Sequence, residues 1–201
     1  MKKIFWIDLR GADKKLKTAA IEAGADAVLV EKSEEMKTLG KIQTIAPDGD
    51  LIPGKDLDMV KITQKSDEDK IVAWGGKVPV IIENTDWTII PLENLISKTT
   101  NLIQTVENPK EAKLALTTME RGADGILLKP KSINDIKEIG NIVREMGAEH
   151  FALEPVEIEE IKSVSMSDRC CVDTTSLLPP GTGLLIGDSS KALFLVHNEN
   201  V

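Results

Sequence analysis

Short apolar runs rich in isoleucine and valine alternate with amphipathic stretches along the chain as far as Pro155. Apolar runs bounded by polar turns are typical of buried strands, and the segments between them have the length of helices. This alternation predicts βα units and a mainly parallel sheet. The predicted strands are residues 4–8, 26–30, 42–46, 59–63, 79–83, 102–106, 124–128 and 150–154.

Several helix starts are marked by a capping residue followed by acidic side chains, which complement the partial positive charge of a helix N-terminus. Ser33, Ser66 and Ser132 are the predicted caps of this kind. Asn108 is a fourth, and Pro109 follows it at the first helical position, where the missing N–H of proline costs nothing. Helices are therefore expected directly after these residues.

Two segments repeat the same order of elements, in which a helix ends at a glycine and a buried strand follows. Residues 23–30 begin Ala-Gly-Ala-Asp, and residues 121–128 begin Arg-Gly-Ala-Asp. Repeated βα units are what a (β/α) barrel requires, although roughly 155 residues is short against the ~250 typical of that fold. We therefore predict an α/β fold, with a compact or incomplete (β/α) barrel-like domain over residues 1–155. The later pattern of strands and turn signals predicts a β-rich extension over residues 156–201, which we expect to be incomplete.

The composition is that of an ordinary globular protein, with 41% apolar and 29% charged residues in a chain of 201. A net charge of -8 disfavours nonspecific binding to nucleic acid or anionic lipid, so a small-molecule partner is expected. No apolar run has the length needed to span a bilayer, and we predict a cytoplasmic protein. Cys170 and Cys171 are adjacent and the two histidines are far apart, so neither a disulfide framework nor a metal site is expected.

Ionisable residues follow many of the predicted strands. Ligands of parallel α/β sheets bind at the carboxyl ends of the strands. Each residue alone is better explained by a solvated loop, but together they predict a site for a polar ligand. The residues expected to surround this site are Asp8, Arg10, Asp48, Asp86, Glu107, Lys129 and Glu154.

Lys129 ends a predicted buried strand and has two interpretations. Desolvation lowers the pKa of a buried lysine, which then forms a Schiff base with a carbonyl compound. The alternative is an exposed lysine in a loop, and the neighbouring Pro130 and Lys131 favour that alternative.

A glycine- and serine-rich stretch offers backbone amides and hydroxyls that suit a pyrophosphate. Turns of a β-rich module explain these residues equally well. Neither a G-x-G-x-x-G sequence opening a helix nor a P-loop lysine signature is present. The residues predicted to contact a nucleotide cofactor are Gly181, Gly183, Gly187, Ser189 and Ser190.

His197 follows the apolar run 192–196 and is expected at the end of a buried strand. A histidine there serves as a general base near neutral pH, or simply as a satisfied residue at a strand edge. Asp168, Arg169 and Asp173 lie earlier in the same region, where they are candidates to orient the histidine or to bind a polyhydroxylated substrate.

Three segments of the chain resemble the archaeal-type 3-dehydroquinate synthase, also called dehydroquinate synthase II. The first is the opening Ile7-Asp8-Leu9-Arg10, and the second runs from Thr85-Asp86-Trp87 through Pro91-Leu92-Glu93-Asn94 to Ile96. The third runs from Asp168-Arg169-Cys170-Cys171-Val172-Asp173-Thr174, through Pro180-Gly181-Thr182-Gly183 and Gly187-Asp188-Ser189-Ser190, to Leu195-Val196-His197. The resemblance covers nearly the whole chain.

The resemblance implies formation of 3-dehydroquinate, the entry compound of the shikimate route to aromatic amino acids. The substrate would be 2-amino-3,7-dideoxy-D-threo-hept-6-ulosonate, and NAD would be the oxidant. Oxidative deamination would be followed by an intramolecular aldol closure, and both steps need an acid and a base. We predict His197 as base with Asp173 as its orienting partner, Arg169 as the clamp for the substrate carboxylate, and Lys129 as a further catalytic candidate. The predicted substrate-binding residues are Asp8, Asp86, Glu93 and Asp168.

The sequence departs from the family pattern at three positions. Thr175 stands where the family tends to have cysteine, Leu178 where it has methionine, and Asp188 where it has serine. A carboxylate at position 188 repels a pyrophosphate, which weakens the assignment of that loop to NAD. The family also continues beyond the position of Val201, so the resemblance implies a chain that lacks part of the C-terminal region.

Two alternatives to the complete enzyme remain at this stage. One is a catalytically incomplete fragment that folds or binds a partner without turnover. The other is a Schiff-base aldolase or lyase that uses Lys129. A homo-oligomer is compatible with each of them.

Overall fold

The computed structural model describes residues 2–84, 90–147, 155–163, 182–189 and 192–197. The chain divides into two compact units, Met1–Phe151 and Ala152–Val201. The predicted strand over residues 150–154 lies outside the described residues, and the predicted boundary at residues 155/156 stays a prediction. No helix within the described residues has the length and apolar composition that crossing a membrane requires.

The first unit contains seven parallel strands and six helices among its described residues. Its elements in chain order are β1 Ile4–Asp8, α1 Lys14–Glu22, β2 Ala27–Leu29, α2 Glu34–Lys37, β3 Gln43–Ile45, β4 Asp58–Ile62, α3 Lys65–Trp74, β5 Val80–Asn84, α4 Ile90–Ile96, β6 Leu102–Val106, α5 Pro109–Thr117, β7 Gly125–Leu128 and α6 Ile133–Gly147. The strand order is β3-β2-β1-β7-β6-β5-β4. The sheet is curled into a half-barrel, which confirms the predicted α/β fold with an incomplete barrel.

Each face of the sheet has its own apolar cluster, because successive side chains of a strand point to opposite faces. The helix-facing cluster includes Phe5, Ile7, Val28, Ile82 and Leu128, together with apolar side chains of α1 to α6. The concave face is filled by a second cluster, which comprises Trp6, Ala27, Leu29, Ile45, Leu57, Ile81, Ile103 and Leu127. Burial on both faces explains why the strands are continuous apolar runs in the sequence.

The two edge strands of the half-barrel, β3 and β4, are joined by residues 46–57. Two isolated parallel bridges, Ile45 with Leu51 and Pro53 with Leu57, order this connection. Asp50 accepts hydrogen bonds from the backbone N–H and the hydroxyl of Thr44, at 2.8 and 3.0 Å. Leu57 and Leu51 pack with the concave-face cluster, so residues 46–57 cover the edge of that cluster at the open side of the half-barrel.

The predicted helix caps are confirmed in part. Asn108 accepts from the N–H of Glu111 at 3.0 Å, and Ser132 accepts from the N–H of Asp135 at 3.2 Å. The predicted start at Ser66 is wrong, because α3 begins at Lys65 after Gln64 as its N-cap. Ser33 does occupy the N-cap position of α2 but makes no side-chain capping bond.

The repeated segments play equivalent structural roles. Asp26 accepts a hydrogen bond from the N–H of Phe5 at 2.9 Å, and Asp124 accepts one from the N–H of Leu102 at 3.0 Å. In both cases the aspartate precedes one strand and binds the start of the strand beside it. The glycine two residues earlier has a positive φ, 75° at Gly24 and 63° at Gly122. The internal repeat is therefore a repeat of a strand-start motif.

The described strands of the second unit form an antiparallel pair, β8 Gly183–Ser189 and β9 Ala192–His197. The expectation of a buried strand over the apolar run 192–196 is wrong. Phe194 is 64% exposed and Leu195 is 56% exposed, and Leu184 to Ile186 on the partner strand are exposed as well. Among the described residues of this unit, no second layer covers either face of the two-stranded sheet, in agreement with the exposure.

Candidate active site

The carboxyl ends of the parallel strands open into a polar cavity of about 450 Å³. Its lining residues are Asp8, Arg10, Glu31, Lys129 and Pro130. Asp8 and Lys129 follow the concave-face residues Trp6 and Leu127 by two positions, so strand alternation directs both side chains to the inside of the half-barrel. β1 and β7 are hydrogen-bonded neighbours, which brings these two residues together although they are far apart in sequence.

Asp8 and Arg10 form a bidentate ion pair on one side of the cavity. Arg10 donates from Nε to Oδ1 of Asp8 at 2.9 Å and from Nη2 to Oδ2 at 2.6 Å. The Asp8 side chain is 8% exposed and the Arg10 side chain is 46% exposed. The hydrogen bond to Asp8 raises the pKa of Arg10, and the charges of Asp8, Glu83 and Glu31 add to the effect. Arg10 is a fixed cation whose remaining N–H groups are available to an anion.

Lys129, which lines the cavity, pairs with Glu83, whose Oε1 lies 3.0 Å from Lys129 Nζ. We call the cavity together with Glu83 the mouth of the half-barrel. Glu83 lies two residues after Ile81 on the concave face of β5, and Lys129 follows β7. β6 lies between these strands, so the ion pair spans it. Both side chains remain partly exposed, at 31% for Lys129 and 43% for Glu83, and a ligand in the mouth can reach them.

Glu31 is the third carboxylate of the mouth and lies beyond β2. Among the described residues, no lysine or arginine forms an ion pair with it. The mouth thus combines three carboxylates with two cations, an arrangement that suits a ligand carrying both a positive and a negative group. Among the described residues, no group of three His, Cys, Asp or Glu side chains is placed to hold a metal ion.

Asp48 and Glu107, predicted at the strand-end site, have other partners, and Glu93, predicted to bind substrate, lies elsewhere. Asp48 accepts from the backbone N–H and hydroxyl of Ser33, both at 3.0 Å, and this lowers the pKa of its carboxyl. Glu107 pairs with Lys131 at 2.8 Å, which lowers the pKa of Glu107. Glu93 is an exposed residue of α4 and does not line the cavity.

A larger cavity, of about 670 Å³, lies beside α2 and β3 and is lined in part by Asp48 and Asp50. The bonds of these carboxylates to Ser33 and Thr44 tie loop 46–50 to neighbouring elements. Their role is structural. The mouth is the better candidate site because its charged groups come from the ends of separate strands and face a common space.

Several predicted site residues lie outside the described residues. They are Asp86, Glu154, Asp168, Arg169, Asp173, Gly181 and Ser190. His197 is described and ends β9 in the second unit, where it is exposed. Its role as a base stays a prediction.

Gly183, Gly187 and Ser189 lie in strand β8, not in a turn. A Cβ on Gly183 would overlap the carbonyl oxygen of Val196 on β9, so the close approach of the partner strand explains this glycine. The described residues of β8 therefore do not form the phosphate-binding turn on which the NAD assignment depended. Their contact with NAD stays a prediction.

Glu31 and Glu83 were not found from the sequence. Each lies two residues beyond an interior apolar residue, Leu29 or Ile81. The signal available in the sequence was the alternation of inward-facing and outward-facing side chains, which continues past the last apolar residue of each strand. Glu83 was overlooked although it ends the predicted strand 79–83, and Glu31 was overlooked because it lies one residue past the predicted strand 26–30.

A half-barrel of parallel strands with charged residues at the carboxyl ends defines the class of α/β-barrel proteins, in which that end holds the active site. The family profile of the 3-dehydroquinate synthase II N-terminal domain matches residues 1–143, and that of its C-terminal domain matches residues 155–201. The chain belongs to the 3-dehydroquinate synthase II family.

Curated relatives support this membership. A 3-dehydroquinate synthase homolog of Aquifex aeolicus is 46% identical over 200 residues, which cover 98% of this chain and 60% of the relative. The 3-dehydroquinate synthase of Methanoregula boonei is 44% identical over 199 residues, covering 99% of this chain and 60% of that protein. The chain thus spans 60% of the length of these relatives.

A solved structure, of monomers of phosphoribosylanthranilate isomerase from Thermotoga maritima, is similar in fold alone. It has a TM-score of 0.53 and 10% sequence identity, and the match covers 72% of this chain and all of the other.

Proposed function

We propose that this chain provides the barrel domain and the mouth of a 3-dehydroquinate synthase. The reaction would be the NAD-dependent oxidative deamination and cyclisation of 2-amino-3,7-dideoxy-D-threo-hept-6-ulosonate to 3-dehydroquinate. The names of the curated relatives support the formation of 3-dehydroquinate. The observation that carries the proposal on this chain is the convergence of Asp8, Arg10, Glu31, Glu83 and Lys129 at one end of the barrel.

The charges of the mouth complement the groups of this substrate. The substrate has a carboxylate and an ammonium group on one carbon, hydroxyl groups along its chain and a ketone near the other end. Arg10, oriented by Asp8, suits the carboxylate through its remaining N–H groups. Glu31 suits the ammonium group, because it is the mouth carboxylate that no described lysine or arginine pairs with. The amino-acid end of the substrate is therefore placed beside β1 and β2.

NAD, when bound, would accept hydride from the amine-bearing carbon. We assign none of the described residues to it, because β8 does not provide the expected phosphate-binding turn. His197 as base, Asp173 as its orienting partner and Arg169 as a second carboxylate clamp remain part of the proposal from the sequence, as do Asp86 and Asp168 in substrate binding.

A Schiff-base aldolase that uses Lys129 is less well supported. Lysines activated for nucleophilic attack lie in apolar pockets or beside other cations. Lys129 instead contacts a carboxylate at 3.0 Å and is partly exposed. A catalytically incomplete chain is the stronger second candidate, because the chain spans 60% of its relatives.

NADH formation tests the proposal directly. The purified chain is mixed with the amino-keto sugar acid and NAD, absorbance at the NADH band is followed, and the product is identified by mass. The full-length Aquifex aeolicus relative is assayed in parallel, and circular dichroism shows that the chain is folded. Dehydroquinate formation by the chain supports the proposal. If only the full-length relative turns over the substrate although the chain is folded, the activity belongs to a longer protein. That result favours the second candidate, a catalytically incomplete chain.

A further inference from the structure

We infer that Lys129 and Glu83 are the acid–base pair that enolises the substrate ketone for ring closure. This inference rests on the proposed function and adds Glu83, a residue that the sequence analysis did not find. The starting observation is the 3.0 Å contact between Lys129 Nζ and Glu83 Oε1 at the mouth of the half-barrel.

The contact leaves both partners able to bind a ligand. It uses one of the two oxygens of Glu83 and one of the three donor hydrogens of Lys129. A ketone lying against the pair accepts a hydrogen bond from Lys129 while the free oxygen of Glu83 faces the neighbouring carbon. The partial exposure of both side chains permits the approach.

The surroundings favour a methyl ketone at this position. Directly below the pair are the concave-face residues Ile81, Ile103 and Leu127, all of them buried. Thr105 is 8% exposed and lies on the intervening strand. The pair is therefore at the boundary between an apolar floor and a polar mouth, and the terminal methyl group of the substrate suits that floor.

The position of the pair also agrees with the placement of the other end of the substrate. Arg10 and Glu31 lie beyond the ends of β1 and β2, whereas Glu83 is the next-to-last residue of β5 and Lys129 follows β7. A substrate whose amino-acid end lies at Arg10 and Glu31 directs its ketone end toward Lys129 and Glu83. The two ends that must join during cyclisation are then held by separate groups.

In the ring closure, each proton and each electron pair moves between the substrate and the side chains of Glu83 and Lys129. Glu83 removes a proton from the methyl carbon beside the ketone, and the electron pair of the broken C–H bond forms the enolate, whose oxygen accepts a hydrogen bond from Lys129. After the amine-bearing carbon has been oxidised and hydrolysed to a carbonyl, the enolate carbon attacks it and forms the new C–C bond. The proton held by Glu83 returns to the resulting alkoxide. The closure itself consumes no oxidant.

Hydrogen–deuterium exchange of the substrate methyl group tests the pair without NAD. The chain and the amino-keto sugar acid are incubated in D₂O, and the methyl signal is followed by proton NMR. Glu83→Gln and Lys129→Met are each expected to slow the exchange at least ~100-fold, the lower range for general acid–base catalysis. Two variants with exposed side chains, Glu34→Gln and Lys131→Met, are matched controls and should exchange at the wild-type rate.

Exchange and NADH formation separate this inference from the proposed function. If the wild-type chain exchanges the methyl protons and both Glu83→Gln and Lys129→Met lose this exchange, the inference is supported even if no NADH forms. NADH formation without methyl exchange overturns the inference and leaves the proposed function standing. Wild-type exchange rates in either Glu83→Gln or Lys129→Met, or no exchange in the folded wild-type chain, also overturn it. Circular dichroism of each variant shows whether it is folded.

Discussion

Asp8 holds Arg10 through two parallel hydrogen bonds, from Nε at 2.9 Å and from Nη2 at 2.6 Å. The two residues are separated by one position, and the first ends β1 while the second lies in the loop after it. The nearly buried carboxylate fixes the orientation of a guanidinium that is half exposed. Arg10 therefore presents its remaining donors to the mouth in a defined direction.

Arg10→Lys should weaken binding of the amino-keto sugar acid by about tenfold to a hundredfold, because lysine keeps the charge but cannot form the bidentate pair. Isothermal titration calorimetry measures the change in Kd. Arg144→Lys on α6 is the matched control, since Arg144 hydrogen-bonds Asn141 away from the mouth. Equal affinities of Arg10→Lys and wild type would remove Arg10 from the site.

The two repeated glycines provide a matched pair for a stability test. A Cβ at Gly24 meets no atom within 4 Å, whereas a Cβ at Gly122 overlaps the carbonyl of Leu116. Gly24→Ala should lower the free energy of unfolding by about 1–2 kcal/mol through its positive φ alone. Gly122→Ala should lower it by roughly a further 1–3 kcal/mol because of the overlap. Urea unfolding of both variants measures the difference, and equal losses would contradict the described packing.

Asp67→Asn should lower the Tm at pH 7 by about 2–4 °C. Hydrogen bonds from the backbone and hydroxyl of Thr63, and from the backbone of Gln64, lower the pKa of Asp67. A carboxyl whose pKa is lower in the folded state stabilises the protein above its unfolded pKa of about 3.9. That contribution is lost as the pH falls through the lower, folded value.

The pH dependence provides the check on Asp67. The Tm difference between wild type and Asp67→Asn should be full at pH 7 and should shrink below about pH 4, where the wild-type carboxyl becomes protonated. Asp69→Asn, an exposed position on the same helix, is the control and should leave the Tm nearly unchanged. A Tm difference for Asp67→Asn that is constant from pH 7 to pH 3 would refute a role for the charge.

Sequence patterns located the helices and strands of the half-barrel well, because strands buried on both faces are continuous apolar runs. They were less informative at helix starts. Ser33 has the residue type of a cap, yet its hydroxyl donates to Asp48 fifteen positions away. The start of α3 was displaced because Asp67 accepts from Thr63 and Gln64, upstream of the serine predicted as the cap. Such competition between partners depends on the tertiary structure.

The sequence by itself determined the βα repeat, the aspartates and glycines of its strand-start motif, and the presence of Asp8, Arg10 and Lys129 at strand ends. Only the tertiary structure decided which strand ends meet. β1 lies between β2 and β7, so Asp8 and Lys129 share a cavity, and the curl of the sheet lets Glu83 reach Lys129 across β6. Strand order and curvature arise from long-range packing of the concave-face cluster, which local periodicity does not encode.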